Sequence, residues 1–132
     1  MRSFSVRVIH NNLPSMGAKL RRLARQAALD AAEEAAQIAR QEMQGPKSGA
    51  TYGDHQASAP GEAPAIDTGR LFASVDVRQS GAEVYLVEDG YGLYLEQGTD
   101  DIEPRPHLEP AAEQVRPRFL SRMADAVERA AR

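Results

Sequence analysis

Tyr94-Leu95-Glu96-Gln97-Gly98-Thr99, followed after a gap of four residues by Pro104-Arg105-Pro106-His107-Leu108-Glu109-Pro110-Ala111, decides how the rest of the chain is read. Three prolines within seven positions fix φ and remove N–H donors, and Gly98 permits a turn that residues with a side chain resist. Tyr91, Tyr94 and Leu95 supply an apolar anchor. The segment is expected to be a tight hinge between a sheet and a final helix, and to be neither an ordinary strand nor an ordinary helix.

Working back from the hinge, residues 74–79 and 83–89 form a hairpin pattern. Val75 and Val77 alternate with Asp76 and Arg78, Ser80-Gly81 supplies the turn, and Val84 and Leu86 resume the apolar side. Residues 3–9 alternate in the same way through Phe4, Val6 and Val8, so a sheet of at least three strands is expected. Between Ser15 and Gln44 the period becomes helical, with Met16, Leu20, Leu23, Ala27, Ala31, Ala35 and Ile38 on one stripe. Ser15 is the expected N-cap and Gly45-Pro46 the expected stop. The alanine centre of the stripe demands a closely approaching neighbour, another helix or the sheet itself. Downstream of the hinge, Val115, Phe119, Leu120, Met123, Val127 and Ala130 define a helix over about 108–131 that Pro117 is expected to kink or restart.

Preceding the sheet, Asp67-Thr68-Gly69-Arg70-Leu71 reads as a cap followed by a short helical turn. Taken in order, this element, Tyr91-x-x-Tyr94-Leu95-Glu96-x-Gly98-Thr99 and Arg105-Pro106-x-Leu108-x-Pro110-Ala111 resemble the tail-completion or neck proteins of tailed bacteriophages. Each element alone is weak, but the three together at this spacing are a fairly specific signal over roughly residues 16–130. The chain departs from the family pattern at Gln97 and His107, where aromatic residues are expected. The resemblance implies a structural virion protein that forms part of the head–tail neck and completes or attaches the tail. It also implies a homo-oligomeric ring of roughly six subunits. Other neck and tail proteins would be its neighbours, and genome DNA would pass through the lumen without specific binding. A tail terminator ring capping the tail tube is the alternative within the same class.

Composition sets bounds on these readings. The 132 residues fit one domain with a real but modest core. With no Cys and no Trp, there is no disulfide framework, thiolate metal site or cysteine nucleophile. Residues 1–10 lack the apolar core of a signal peptide and no run is long enough for a membrane span, so a soluble protein made in the host cytoplasm, with no membrane partner, is expected. The net charge of −3 is unevenly spread: residues 66–110 carry ten acids against three basic residues, while the two helical ends are basic. This polarity suits a subunit that meets its neighbours through complementary surfaces.

Asp67, Thr68, Gly69, Arg70, Tyr94, Glu96, Gly98, Thr99, Arg105 and Pro106 are the expected interface and hinge residues, with Arg70 expected to hold Glu96 in an internal ion pair. Asp100, Asp101, Glu103, Arg116, Arg118 and Arg122 are the candidate charges for contact with neighbouring subunits. Residues 45–66, rich in Gly, Pro, Ser and Ala, are expected to be mobile in the isolated chain and to order against an adjacent subunit. No catalytic residue, cofactor or metal is assigned: His55 beside Asp54 lacks ligand spacing, and the acids near Asp100 lack His partners for hydrolytic chemistry. A nucleic-acid-binding module using Lys19, Arg21, Arg22 and Arg25 together with the C-terminal arginines is the rival from another class. The fold expected is α+β, a small antiparallel sheet packed by a long N-terminal and a kinked C-terminal helix.

Overall fold

The structure, a computed structural model, describes residues 4–7, 14–81 and 83–132. A 31-residue helix, α1 (Pro14–Gln44), runs along a three-stranded antiparallel sheet of β1 (Phe4–Arg7), β4 (Asp76–Ser80) and β5 (Glu83–Val87). Between them lie a small ribbon, β2 (Thr51–Tyr52) and β3 (His55–Gln56), and the short α2 (Arg70–Ser74). The helix α3 (Gly90–Gln97) follows the sheet, and α4 (Leu108–Ala130) closes the chain. The expected α+β class is the observed one. Among the described residues, no helix is long and apolar enough to cross a membrane.

Strand β5 is central, in the order β1-β5-β4. Its alternate residues Val84 and Leu86 are buried, and in register Leu86 stands opposite both Val77 and Phe4. Above this face lies the alanine stripe of α1: Ala24, Ala28, Ala31, Ala35, Ala39 and Met43 are all buried. Small side chains let two neighbours come close at once, and both of those weighed from the sequence do so. Helix α4 contributes Leu108, Ala111 and Val115 to the core, and the sheet contributes Val75 and Leu86. Arg40 of α1 also donates to the Val75 carbonyl, tying the helix to the approach to β4.

Several boundaries differ from expectation. Helix α1 starts at Pro14, one residue ahead of the expected Ser15 cap, in keeping with the preference of proline for a helix's first turn. Ser3, Val8 and Ile9 of the expected first strand lie outside the described residues. Pro117 does not restart α4, which is continuous across it. The largest difference is at the hinge: residues 90–97 form a helix, with Asp89 accepting the Tyr91 N–H at its start. Of the expected anchor, only Leu95 is buried, while Tyr91 and Tyr94 are exposed.

Residues 45–66 make hydrogen bonds within their own chain. Gly49 and Ala57 extend the β2–β3 ribbon with bonds to the Ala57 and Ala50 carbonyls, at 3.0 and 2.9 Å. Glu62 accepts from the Ala59 N–H at 2.9 Å, the Ser48 N–H at 3.1 Å and the Ser48 hydroxyl. The segment folds back on its own chain.

Candidate functional site

The three sequence elements that carry the resemblance converge on one place. An open groove of about 650 Å³ is lined by Asp67–Phe72, by Asp89, Tyr91 and Leu95 of the α3 region, and by Ile102 and Arg105 of the hinge. Met43 at the end of α1 and His55, Ala57, Ser58 and residues 64–66 of the folded-back segment line it as well. Helix α2 begins after Gly69, whose φ is +83°, and Thr68 Oγ1 accepts the Arg70 N–H at 3.3 Å. The expected helical turn is present, with Gly69 rather than Asp67 or Thr68 at its N-cap position.

Arg70 does not pair with Glu96. Its Nε lies 3.3 Å from Asp89 Oδ2, with the Arg70 side chain 85% exposed, so the contact contributes at most about 1 kcal/mol. The α2 turn is fastened instead by Ser74, whose hydroxyl donates to the Leu71 carbonyl at 2.7 Å and accepts the Asp89 N–H at 3.0 Å.

Glu96 has a different task. Its carboxylate accepts the backbone N–H groups of His107, Leu108 and Glu109 at 2.6, 2.8 and 3.1 Å, across the start of α4. A helix N-terminus leaves such donors without intrahelical partners and carries partial positive charge, so a buried carboxylate there is both hydrogen-bonded and electrostatically compensated. The hinge between the two makes this reach possible. Gly98 turns the chain at φ +76°, where a Cβ would lie 2.8 Å from the Ile102 carbonyl oxygen. Thr99 Oγ1 accepts the N–H groups of Asp101 and Ile102 at 3.2 and 3.1 Å, which leaves Asp100, Asp101 and Glu103 exposed on a tight turn. Arg105 returns through a bond from its N–H to the Leu95 carbonyl at 2.6 Å. Pro106 follows, half-buried, and delivers His107 to the interior.

His107 is the residue whose role was missed from sequence. Its side chain is fully buried between Glu88 and Glu96. Nδ1 lies 2.9 Å from the Arg105 carbonyl oxygen, which can only accept, so Nδ1 carries a proton. Nε2 lies 2.6 Å from Glu88 Oε2. Burial, the largest single influence, pulls the imidazole pKa down; the Glu88 hydrogen bond and charge, the Arg105 carbonyl and the Glu96 charge together outweigh it, and the net is upward. The upward net shift favours the protonated ring, with Nδ1 toward the Arg105 carbonyl and Nε2 toward Glu88. Glu88 is pressed against α3 at Gly92, where a Cβ would come within 2.3 Å of its carboxyl carbon.

Donor atoms of Glu88, Glu96 and His107 lie within 4.8 Å of one another, a set with metal-ligand chemistry. Their hydrogen bonds argue for a structural cluster. Both Glu96 oxygens are taken by helix N–H groups and both imidazole nitrogens face oxygen acceptors, so a metal would have to displace the α4 cap or the Glu88 contact.

Arg116, Arg118 and Arg122 of α4 have acidic partners within the chain. Arg118 pairs with Glu34 of α1, and Arg122 lies 3.6 Å from the same carboxylate, so these two charges brace the helix pair within the chain. Arg116 lies 3.6 Å from Glu113, one turn away on its own helix, and is exposed. Comparison with protein-family models, with curated proteins and with solved structures finds no match.

Proposed function

We propose that this chain is a structural subunit of the neck of a tailed bacteriophage, acting as a homo-oligomeric ring that completes the tail or attaches it to the head. The role is architectural, not catalytic. The observation that carries this reading is the convergence of the three elements behind the resemblance. Asp67–Leu71 and the Tyr91–Thr99 element border one groove, and Glu96 joins the latter to Arg105–Ala111 by capping α4. Elements that recur together in sequence and build one structural unit are more informative than the same elements scattered over a fold. The exposed Tyr91 and Tyr94 beside that unit add apolar surface of the kind that subunit contacts bury.

Electron microscopy of lysates from a phage lacking the gene, with the gene supplied in trans as control, tests the reading. Filled heads accumulating beside separate tails are expected. Intact, infectious virions without the gene would overturn it.

A further inference from the structure

Helix α1 spans about 46 Å at 1.5 Å per residue, and it separates two ends of opposite character. Its C-terminal half packs on the start of α4, while its N-terminal half shares a cleft with the end of α4 through Leu23, Ala27, Ala126 and Arg129. The helices are therefore antiparallel and form a two-helix tip away from the groove. In that tip, residues 16–30 carry Lys19, Arg21, Arg22 and Arg25 against Asp30 alone. Residues 122–132 add three arginines against Asp125 and Glu128. None of the four α1 cations is paired with an acid among the described residues.

The groove end is the reverse. Asp67, Asp89, Asp100, Asp101 and Glu103 stand in or beside it, against Arg70 and Arg105. Arg105 is itself committed to Ser58 and to the Glu103 carbonyl. Apolar surface accompanies the charge at both ends: Tyr91 is 60% exposed at the groove and Val127 is 55% exposed on the tip.

We propose that the acidic, tyrosine-bordered groove receives the basic two-helix tip of a second copy of this chain, head to tail. Charge complementarity between two surfaces of one molecule selects the occupant: each end carries what the other lacks, and the two are too far apart to meet within one chain. A contact between different patches is heterologous, so it repeats from copy to copy and closes into a ring when the rotation allows. This rests on the assembly part of the reading above and supplies its interface; it does not depend on the virion as the setting.

Sedimentation velocity on the full chain tests it, with two charge-reversal variants. One carries Arg21→Glu, Arg22→Glu and Arg25→Glu on the tip, and the other Asp100→Arg and Asp101→Arg at the groove. All five positions lie away from the buried core, and circular dichroism checks that the fold survives. The wild-type chain is expected to form species larger than a dimer at about 50 mM salt and to shift toward monomer at about 500 mM. Each variant alone is expected to remain monomeric. Their equimolar mixture is expected to assemble again, because the intact groove meets the intact tip and the reversed tip meets the reversed groove, each with opposite charge. Tyr91→Ala is expected to weaken wild-type assembly about ten-fold or more.

A monomeric wild type at low salt overturns the proposal, as does assembly that both reversals leave intact. Binding of a DNA duplex by the tip in a chain that does not self-associate also overturns it, in favour of a nucleic-acid partner. The lysate experiment reads out separately. Head-to-tail assembly with infectious virions lacking the gene would keep this interface and remove the neck role.

Discussion

His107 Nε2 and Glu88 Oε2 lie 2.6 Å apart with both side chains fully buried, a contact that joins the end of β5 to the start of α4. Because the folded-state pKa of His107 is raised above its ordinary 6.5, the native protein holds more protons than the unfolded chain over the window between the two values. The resulting stabilisation is fully present below about pH 6.5 and is lost as pH rises through the folded value. Denaturant unfolding of the wild type between about pH 6 and pH 9 should show this decline. His107→Phe alone leaves Glu88 buried without its partner and is expected to cost about 3 kcal/mol. Combining it with Glu88→Leu replaces the pair by apolar groups, and should recover most of that loss and abolish the decline with pH. A double variant with the wild-type pH slope would place the linked proton elsewhere.

Glu96 offers a second test. Glu96→Ala strips three N–H groups at the start of α4 of a charged acceptor inside the protein, and a loss of about 3 kcal/mol is expected. Glu96→Gln keeps one acceptor oxygen but turns an amide N–H₂ toward other donors, so an intermediate loss is expected. Thermal unfolding should rank wild type above Gln above Ala. Equal stability of Ala and Gln would mean that the charge, and not the acceptor count, sustains the cap.

Gly92 is constrained by contact, not by backbone angle. Gly92→Ala would put a methyl group within 2.5 Å of both Glu88 carboxylate oxygens, and Glu88 cannot swing away without abandoning His107. Overpacking of this kind costs about 1–3 kcal/mol. Histidine ring NMR supplies a readout that simple strain would not move: the His107 pKa should fall when the Glu88 contact is displaced. An unchanged His107 titration in a destabilised variant would mean that α3 moved and Glu88 did not.

Much of the fold was legible because it rests on periodicity. The period of two over 74–79 and 83–89 reappears as the β4–β5 hairpin, and the alanine-centred stripe of α1 correctly demanded close neighbours. The hinge was harder for a local reason. Gly90 and Gly92 lower helix propensity, so residues 90–97 read as a bend, yet Gly92 is required by the Glu88 carboxylate and the helix persists through its tertiary contacts. The buried cluster left almost no mark on the sequence. Glu88, Glu96 and His107 are separated by eight and eleven residues, and each looks like an ordinary surface residue until the chain turns at Gly98. Only the unusual histidine between Pro106 and Leu108 hinted at it. The expected Arg70–Glu96 pair does not form because three N–H groups at the start of α4 take that carboxylate, and Arg70 meets Asp89 instead.

The 45–66 segment yields the last prediction. Arg105 Nε donates to Ser58 Oγ at 2.8 Å and its guanidinium also reaches the Ser58 carbonyl at 3.3 Å, while Gly61 donates to the Pro104 carbonyl at 3.0 Å. Ser58 is buried, so removing its partner leaves a hydroxyl and a carbonyl unsatisfied, a cost of about 1–2 kcal/mol. That cost falls on local opening of the segment, since α1, α4 and the sheet do not depend on this latch. Arg105→Ala is therefore expected to raise the rate of proteolytic cleavage within 45–66 about ten-fold or more, with little change in the midpoint of global unfolding. The comparison is made on chains held monomeric, because the groove these residues line would be covered on assembly. If the chain's own latch orders the segment, monomeric wild type should resist cleavage far better than monomeric Arg105→Ala; equal cleavage of the two would instead return the segment to a neighbouring subunit.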